Sequence, residues 1–169
     1  SMFDGHQVVK KWLNSNSSAM ATVAGTGSAG TASNMLSYPN GIFVDTNFDL
    51  YVADRNNHRI QLFRLGQING TTVAGSTSPN LTISLYYPSY VILDGNKYLF
   101  ITDLSHRIIG SDENGFRCIV ACSGQGSTSN QLNVPRSIAF DSFGNLFVVD
   151  QNNHRIQKFC LSTNFCNRE

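Results

Sequence analysis

The sequence predicts an all-β protein built of four-stranded antiparallel sheets, and three observations lead to that prediction. The first is a long repeat, because His58, His106 and His154 follow one another at two equal intervals of 48 residues. The second is the alternation of β-branched or aromatic residues with polar ones between Gly, Asn and Asp, which is typical of strands. The third is composition: only 14% of the 169 residues are charged, which suits short strands and polar turns.

Each repeat contains four strand-like segments, which we name a, b, c and d in chain order. In the first repeat they read GIFVD, LYVAD, HRIQLF and TTVAG. Four antiparallel strands in about 48 residues are typical of a β-propeller blade. A partial blade at 3–25 is followed by repeats at about 38–75, 87–122 and 134–166. We therefore expect a single propeller segment over 3–169, about half of a six-bladed ring, because six blades need roughly 290 residues.

The segments resemble the NHL repeat. The resemblance is carried by P-x-G-I-x-V-D at 39–45, L-Y-V-A-D at 50–54 and N-H-R-I-Q-x-F at 57–63, and its copies extend over nearly the whole chain. It implies a non-catalytic propeller that acts as a protein- or ligand-binding scaffold. Two alternatives come with the same resemblance, namely a fragment of an enzyme similar to peptidyl-hydroxyglycine lyase and an RNA-binding NHL domain.

The histidines and the net charge weigh against both alternatives. Lyases of that kind use zinc-bound histidines, whereas His6, His58, His106 and His154 here all occupy one repeat position. A catalytic residue is not needed in every blade, so we expect structural histidines, no catalytic residue, no metal and no cofactor. The formal net charge of +1 disfavours nucleic acid, because phosphate contacts dominate such binding.

The loops suggest where a partner would bind. In a blade, the b–c turns and d–a loops lie on one face, which we call the loop face. The d–a loops at 25–38, 75–87 and 122–134 are long, and long loops on a rigid scaffold are where binding usually resides. We therefore predict that an unknown protein or small ligand binds the loop face. The predicted binding residues are Arg55, Asn56, Asn57, Leu104, Gln151, Asn152 and Asn153.

The four cysteines allow one or two disulfides. Cys160 and Cys166 flank a segment that could form a c–d hairpin, and we predict a bridge between them. Cys118 and Cys122 lie four residues apart on a predicted strand, about 13 Å in extended chain. They can pair only if the chain turns at Cys122, where the other repeats have glycine.

Three N-x-S/T triplets predict glycosylation at Asn16, Asn69 and Asn80. Together with an even cysteine count, they favour an extracellular or secreted protein. No apolar run approaches the ~18 residues of a membrane span, so we expect no membrane segment.

The incomplete ring leaves blade faces and a strand edge exposed, and both invite association. Two arrangements follow. The chain could form a homodimer that closes a six-bladed ring, or it could be part of a longer propeller.

Overall fold

The computed structural model describes residues 4–12, 20–78 and 83–160. In these residues the secondary structure consists of β-strands and two short 3-10 turns, which confirms the all-β prediction. No helix in the described part of the chain is long and apolar enough to cross a membrane. The chain begins with an antiparallel N-terminal pair, β1 (Gln7–Lys11) and β2 (Met20–Gly25), which corresponds to segments c and d.

The first and second repeats each form a four-stranded antiparallel sheet with the strands paired in chain order. The strands of the first repeat are β3 (Pro39–Val44), β4 (Leu50–Asp54), β5 (Arg59–Phe63) and β6 (Thr71–Gly75). Those of the second are β7 (Tyr90–Leu93), β8 (Leu99–Asp103), β9 (Arg107–Asp112) and β10 (Gly115–Val120). These are the predicted segments a, b, c and d.

The third repeat shows segments a, b and c. They form β11 (Pro135–Phe140), β12 (Leu146–Asp150) and β13 (Arg155–Phe159), paired in that order. The expected fourth segment falls in 161–169, outside the described residues. The succession of a c–d pair, two full sheets and an a–b–c sheet is therefore the one that the repeat pattern predicts.

Each tight a–b turn is stabilised by an aspartate. Asp45 Oδ1 accepts the backbone amides of Asn47 and Asp49 at 2.9 and 3.0 Å. Asp94 and Asp141 do the same in the second and third repeats. Such side-chain acceptors satisfy turn amides that the sheet leaves unpaired, so short hairpins join a to b.

The contacts divide the chain into two compact units, Ser1–Tyr87 and Pro88–Glu169. The core of the first unit is a cluster that joins the N-terminal pair to the first repeat. It contains Val8, Ala24, Leu36, Leu50, Val52 and Phe63. In the second unit, Phe100 of β8 meets Phe140 of β11 edge to face at 4.9 Å, so segment b of one repeat packs on segment a of the next.

The alternation in segment a predicts packed side chains at Ile42, Val44, Val91, Leu93, Ile138 and Phe140. Val91, Leu93 and Ile138 are buried, and Ile42 and Phe140 are half-buried. Val44 is 51% exposed, so the prediction is wrong there. Val44 occupies the repeat position of Phe140. In the described residues the N-terminal pair supplies no segment b to cover it, and Val44 instead lines an apolar cleft of about 520 Å³ beside β1 and β2.

Candidate binding site on the loop face

Asp54 organises the b–c turn of the first repeat. It ends β4, it is fully buried, and its Oδ1 accepts the amide of Ser37 at 2.7 Å. Its Oδ2 accepts Nδ2 of Asn57 at 2.8 Å and Nε of Arg59 at 2.7 Å. Burial raises the pKa of Asp54, and this effect outweighs the lowering by the three hydrogen bonds and the Arg59 charge.

Arg59 extends this turn into the preceding d–a loop. Its guanidinium donates to the carbonyl oxygens of Thr31, Ala32 and Met35 at 2.8 to 3.1 Å. The planar guanidinium carries five donors in a fixed arrangement, so one side chain can hold several carbonyls in place. The Asp54–Arg59 pair therefore anchors the loop between the N-terminal pair and the first repeat.

The third repeat has the same arrangement. Asp150 accepts Nε of Arg155 and Nδ2 of Asn153, each at 2.8 Å. Burial acts to raise the pKa of Asp150, but hydrogen bonds from Asn133, Asn153 and Arg155 and the Arg155 charge outweigh it, so the pKa lies below its ordinary value. Arg155 holds the preceding loop through the carbonyl oxygens of Ser127, Thr128 and Gln131.

The b–c turn of the second repeat is one residue shorter than the b–c turns of the first and third repeats. Arg107 follows Asp103 by four residues and contacts its Oδ2 at 3.3 Å, while the amide of Ser105 donates to Oδ1 at 2.9 Å. Leu104 occupies the place that Arg55 has in the first repeat, and it is half-buried. The ion pair is thus kept while other residues of the turn change.

Histidine links each repeat to the beginning of the next one. The Nδ1 atoms of His6, His58 and His106 accept the backbone amides of Tyr38, Tyr87 and Val134 at 3.2, 3.1 and 3.0 Å. All of these residues have φ between 48° and 63°, in the left-handed region. The repeated histidine therefore serves the backbone, as we expect of a structural residue.

The structure separates the predicted binding residues into two groups. Asn57 and Asn153 are part of the turns, because their Nδ2 atoms also donate to the carbonyls of Gly30 and Gly126 at 2.7 and 2.8 Å. Their side chains are engaged by the fold. The others are half-buried or exposed on the turns, namely Arg55, Asn56, Leu104, Gln151 and Asn152.

Two tyrosine rings lie beside Arg55, and the sequence did not predict this contact. The guanidinium of Arg55 lies 4.9 Å from the ring centre of Tyr87 and donates to Asn56 Oδ1 at 3.0 Å. Tyr86 stacks on His58 with ring centres 5.6 Å apart and meets Tyr87 edge to face at 4.8 Å. We call Arg55, Asn56, Tyr86 and Tyr87 the aromatic group.

Tyr86 is the exposed member of the aromatic group, with 54% of its surface accessible. The aligned openings L-S-Y-P, L-Y-Y-P and L-N-V-P have Ser37, Tyr86 and Asn133 at this position. A large aromatic residue where other copies carry small polar ones was the sequence signal that could have identified it.

The acidic residues of the b–c turns are held in ion pairs. No group of three His, Cys, Asp or Glu side chains that could hold a metal occurs among them. The three b–c turn aspartates, Asp54, Asp103 and Asp150, are all buried against arginines. Such paired carboxylates stabilise turns and leave no exposed base at these positions.

One disulfide is the pair that the sequence left conditional on a turn. Cys118 and Cys122 form a disulfide with Cα atoms 5.8 Å apart, because the chain turns at Ala121, where φ is 57°. The turn thus comes one residue before Cys122. Cys160 is also disulfide-bonded. Its expected partner, Cys166, lies outside the described residues.

The predicted glycosylation sites are only partly described. Asn69 is exposed in the connection between β5 and β6, where its Oδ1 accepts Ser33 Oγ at 3.5 Å. Asn16 and Asn80 lie outside the described residues. Glycosylation at the three sites therefore stays a prediction.

Several known proteins are similar to this chain. Streptogramin B lyase is 18% identical with a TM-score of 0.47, over 75% of this chain and 42% of that one. Virginiamycin B lyase from Staphylococcus aureus is 16% identical with a TM-score of 0.41, over 76% and 45%. The extracellular domain of a hybrid two-component system from B. thetaiotaomicron is 16% identical with a TM-score of 0.42, over 74% and 17%. The chain thus spans less than half the length of each.

A family model supports the interpretation of the repeats. It describes the NHL repeat and matches residues 36–63 and 132–159. Each match begins at the buried leucine of the d–a loop and ends with segment c, so it contains the turn aspartate, the histidine and the arginine. The first and third repeats of the chain therefore match the NHL repeat.

Proposed function

We propose that the protein is a non-catalytic NHL-type propeller segment that recognises a protein or small ligand on its loop face. The observation that carries the proposal is the contrast between two kinds of residue. The repeated polar side chains, such as Asp54, Arg59 and His58, are occupied by bonds within the fold. Tyr86, by contrast, is an exposed aromatic residue of this face, and its position carries Ser37 and Asn133 in the other two repeats.

The chemistry of the aromatic group suits recognition. Tyr86 presents a large exposed ring held in place by two ring contacts, so little conformational entropy is lost when a ligand packs on it. Arg55 and Asn56 supply hydrogen-bonding groups beside the ring. Aromatic residues and arginine are the types that most often dominate binding energy in interfaces.

We also propose that the protein acts outside the cell. The Cys118–Cys122 disulfide supports this location, because disulfides persist mainly in oxidising compartments. The exposed position of Asn69 is compatible with a glycan there.

Glycan and protein arrays probed with the purified protein test the proposed recognition. We expect a specific ligand whose signal falls about tenfold or more in Tyr86→Ala and Arg55→Ala, as for truncated hot-spot residues. Phe143→Ala is the matched control, because Phe143 is equally exposed, at 57%, but lies in an a–b turn. Stoichiometric zinc in the purified protein or lyase turnover of an amidation intermediate would contradict the non-catalytic assignment.

A further inference from the structure

The last sheet exposes a surface that is buried in every other copy. The residue two positions after the repeated histidine is Val8, Ile60, Ile108 and Ile156. The first three are 3%, 0% and 0% exposed, whereas Ile156 is 68% exposed. The same apolar position is thus covered three times and open once.

A second position shows the same difference. Val149 pairs with Ile156 across β12 and β13, as Ala53 pairs with Ile60 across β4 and β5. Paired residues lie on one face of a sheet, so Val149 and Ile156 form a single apolar patch. Ala53 is completely buried, while Val149 is 37% exposed.

The fourth histidine differs from the other three in the same way. His6, His58 and His106 each accept a backbone amide through Nδ1. The ring of His154 is exposed, and within the described residues it takes part in no hydrogen bond. It has the same left-handed backbone, with φ 52°, so the acceptor is already in the conformation that the other histidines use.

The buried copies show what covers this surface. Each d–a loop ends in a segment of the form Leu-x-(Tyr or Val)-Pro, at 36–39, 85–88 and 132–135, which we call the opening segment. Its leucine is at most 6% exposed, and Leu36 lies in one cluster with Val8. Its third residue donates the amide to the histidine.

We propose that the surface formed by Val149, His154 and Ile156 binds the opening segment of a further NHL repeat that lies outside these 169 residues. The leucine of that segment packs on Val149 and Ile156, and its third residue donates a backbone amide to Nδ1 of His154. A second copy of this chain does not fit as well, because its opening segments are already seated, with Leu36, Leu85 and Leu132 buried.

Titration of the isotope-labelled full chain with a synthetic peptide tests this proposal. The probe is residues 130–141, NQLNVPRSIAFD, which contains the opening segment of the third repeat. We expect saturable NMR shifts at the amides of Val149 and Ile156 and at the ring of His154. A peptide with Leu132→Asp is expected to bind about tenfold or more weakly, because a carboxylate replaces the leucine at an apolar surface.

Variants of the chain locate the binding surface. Ile156→Asp changes an exposed side chain, so the variant is expected to fold, and to lose peptide binding by a similar factor. Ile68→Asp is the matched control, since Ile68 is 74% exposed in another turn, and binding should not change. The absence of shifts with excess peptide, or shifts that Ile156→Asp leaves unchanged, would overturn the proposal.

Light scattering tests the competing possibility, in which a second copy of the chain covers this surface and forms the homodimer considered from the sequence. We expect a monomer of 18.6 kDa for the chain alone. A dimer of twice that mass that Ile156→Asp dissociates would show that a second copy covers the surface, and it would overturn the assignment to a further repeat.

Discussion

The Nδ1 atom of His58 accepts the backbone amide of Tyr87 at 3.1 Å, so a turn of the first repeat holds the residue that opens the second. Both residues have left-handed backbone conformations, with φ of 54° and 48°. Two neighbouring turns that are individually strained are thus stabilised by one bond between them. The need for an acceptor at this point explains why the histidine recurs.

Replacing this histidine should weaken the fold. We expect His58→Ala to lower the free energy of unfolding by about 1 to 3 kcal/mol, because the amide of Tyr87 loses its acceptor. Urea denaturation followed by circular dichroism measures the change. His154→Ala is the control and should cost clearly less. Equal losses in the two variants would contradict a role for the Nδ1 bond.

Breaking the buried Asp54–Arg59 ion pair should lower the free energy of unfolding more than replacing His58 does. We expect Asp54→Asn to cost about 3 to 5 kcal/mol, because it leaves the buried guanidinium of Arg59 without a counter-charge. Asp150→Asn should cost less, since the side chain of Arg155 is 30% exposed, compared with 4% for Arg59. Denaturant unfolding of both variants checks the order, and a larger loss at Asp150 would contradict it.

The pKa of Asp150 predicts a pH dependence. Its folded pKa lies below the ordinary value of 3.8, so the ionised carboxylate stabilises the protein above that pH. This stabilisation is lost as the pH falls through the lower folded pKa. The difference in unfolding free energy between wild type and Asp150→Asn should therefore be full at pH 7 and shrink below about pH 4. If the difference in unfolding free energy grew as the pH fell, it would contradict a lowered pKa of Asp150.

The Cys118–Cys122 disulfide should make a modest contribution to the stability of the fold. Removing it in Cys118→Ser/Cys122→Ser is expected to lower the free energy of unfolding by about 2 kcal/mol, because the loop it closes is short. Thermal unfolding of the double variant measures the loss. Peptide mapping without reductant should recover residues 118 and 122 joined to each other. A link between either of them and Cys160 would disprove the pairing.

The strands could be predicted from the sequence because the four segments a to d recur together, so the weak pattern of each segment is supported by its copies in the other repeats. Alternation in a single segment such as GIFVD is ambiguous, but three copies with the same turn residues are not. The same alignment identified the N-terminal pair, β1 and β2, as segments c and d. Burial at the ends of the array was harder to predict, because it depends on neighbouring segments. Val44 is exposed for that reason, although its repeat position is apolar.

Less of the candidate site could be predicted from the sequence. The loop face follows from strand direction alone, and Arg55 and Asn56 lie in one of its b–c turns. That the side chain of Asn57 is engaged within the turn did not follow from the sequence, because a side chain in a turn can point into the turn as easily as out of it. The position of Tyr86 was not predicted, since it depends on contact with His58, far along the chain. The Cys118–Cys122 disulfide requires a left-handed backbone conformation at Ala121, and alanine rarely adopts that conformation.

The bond from each histidine to the next opening segment also bears on how the protein unfolds. Such a bond couples a repeat only to its successor, so stability is transmitted between nearest neighbours. The third repeat has no such successor among the described residues, and His154 is exposed. Fraying should therefore start at this end, and amide hydrogens of β12 and β13 should exchange before those of β4 and β5.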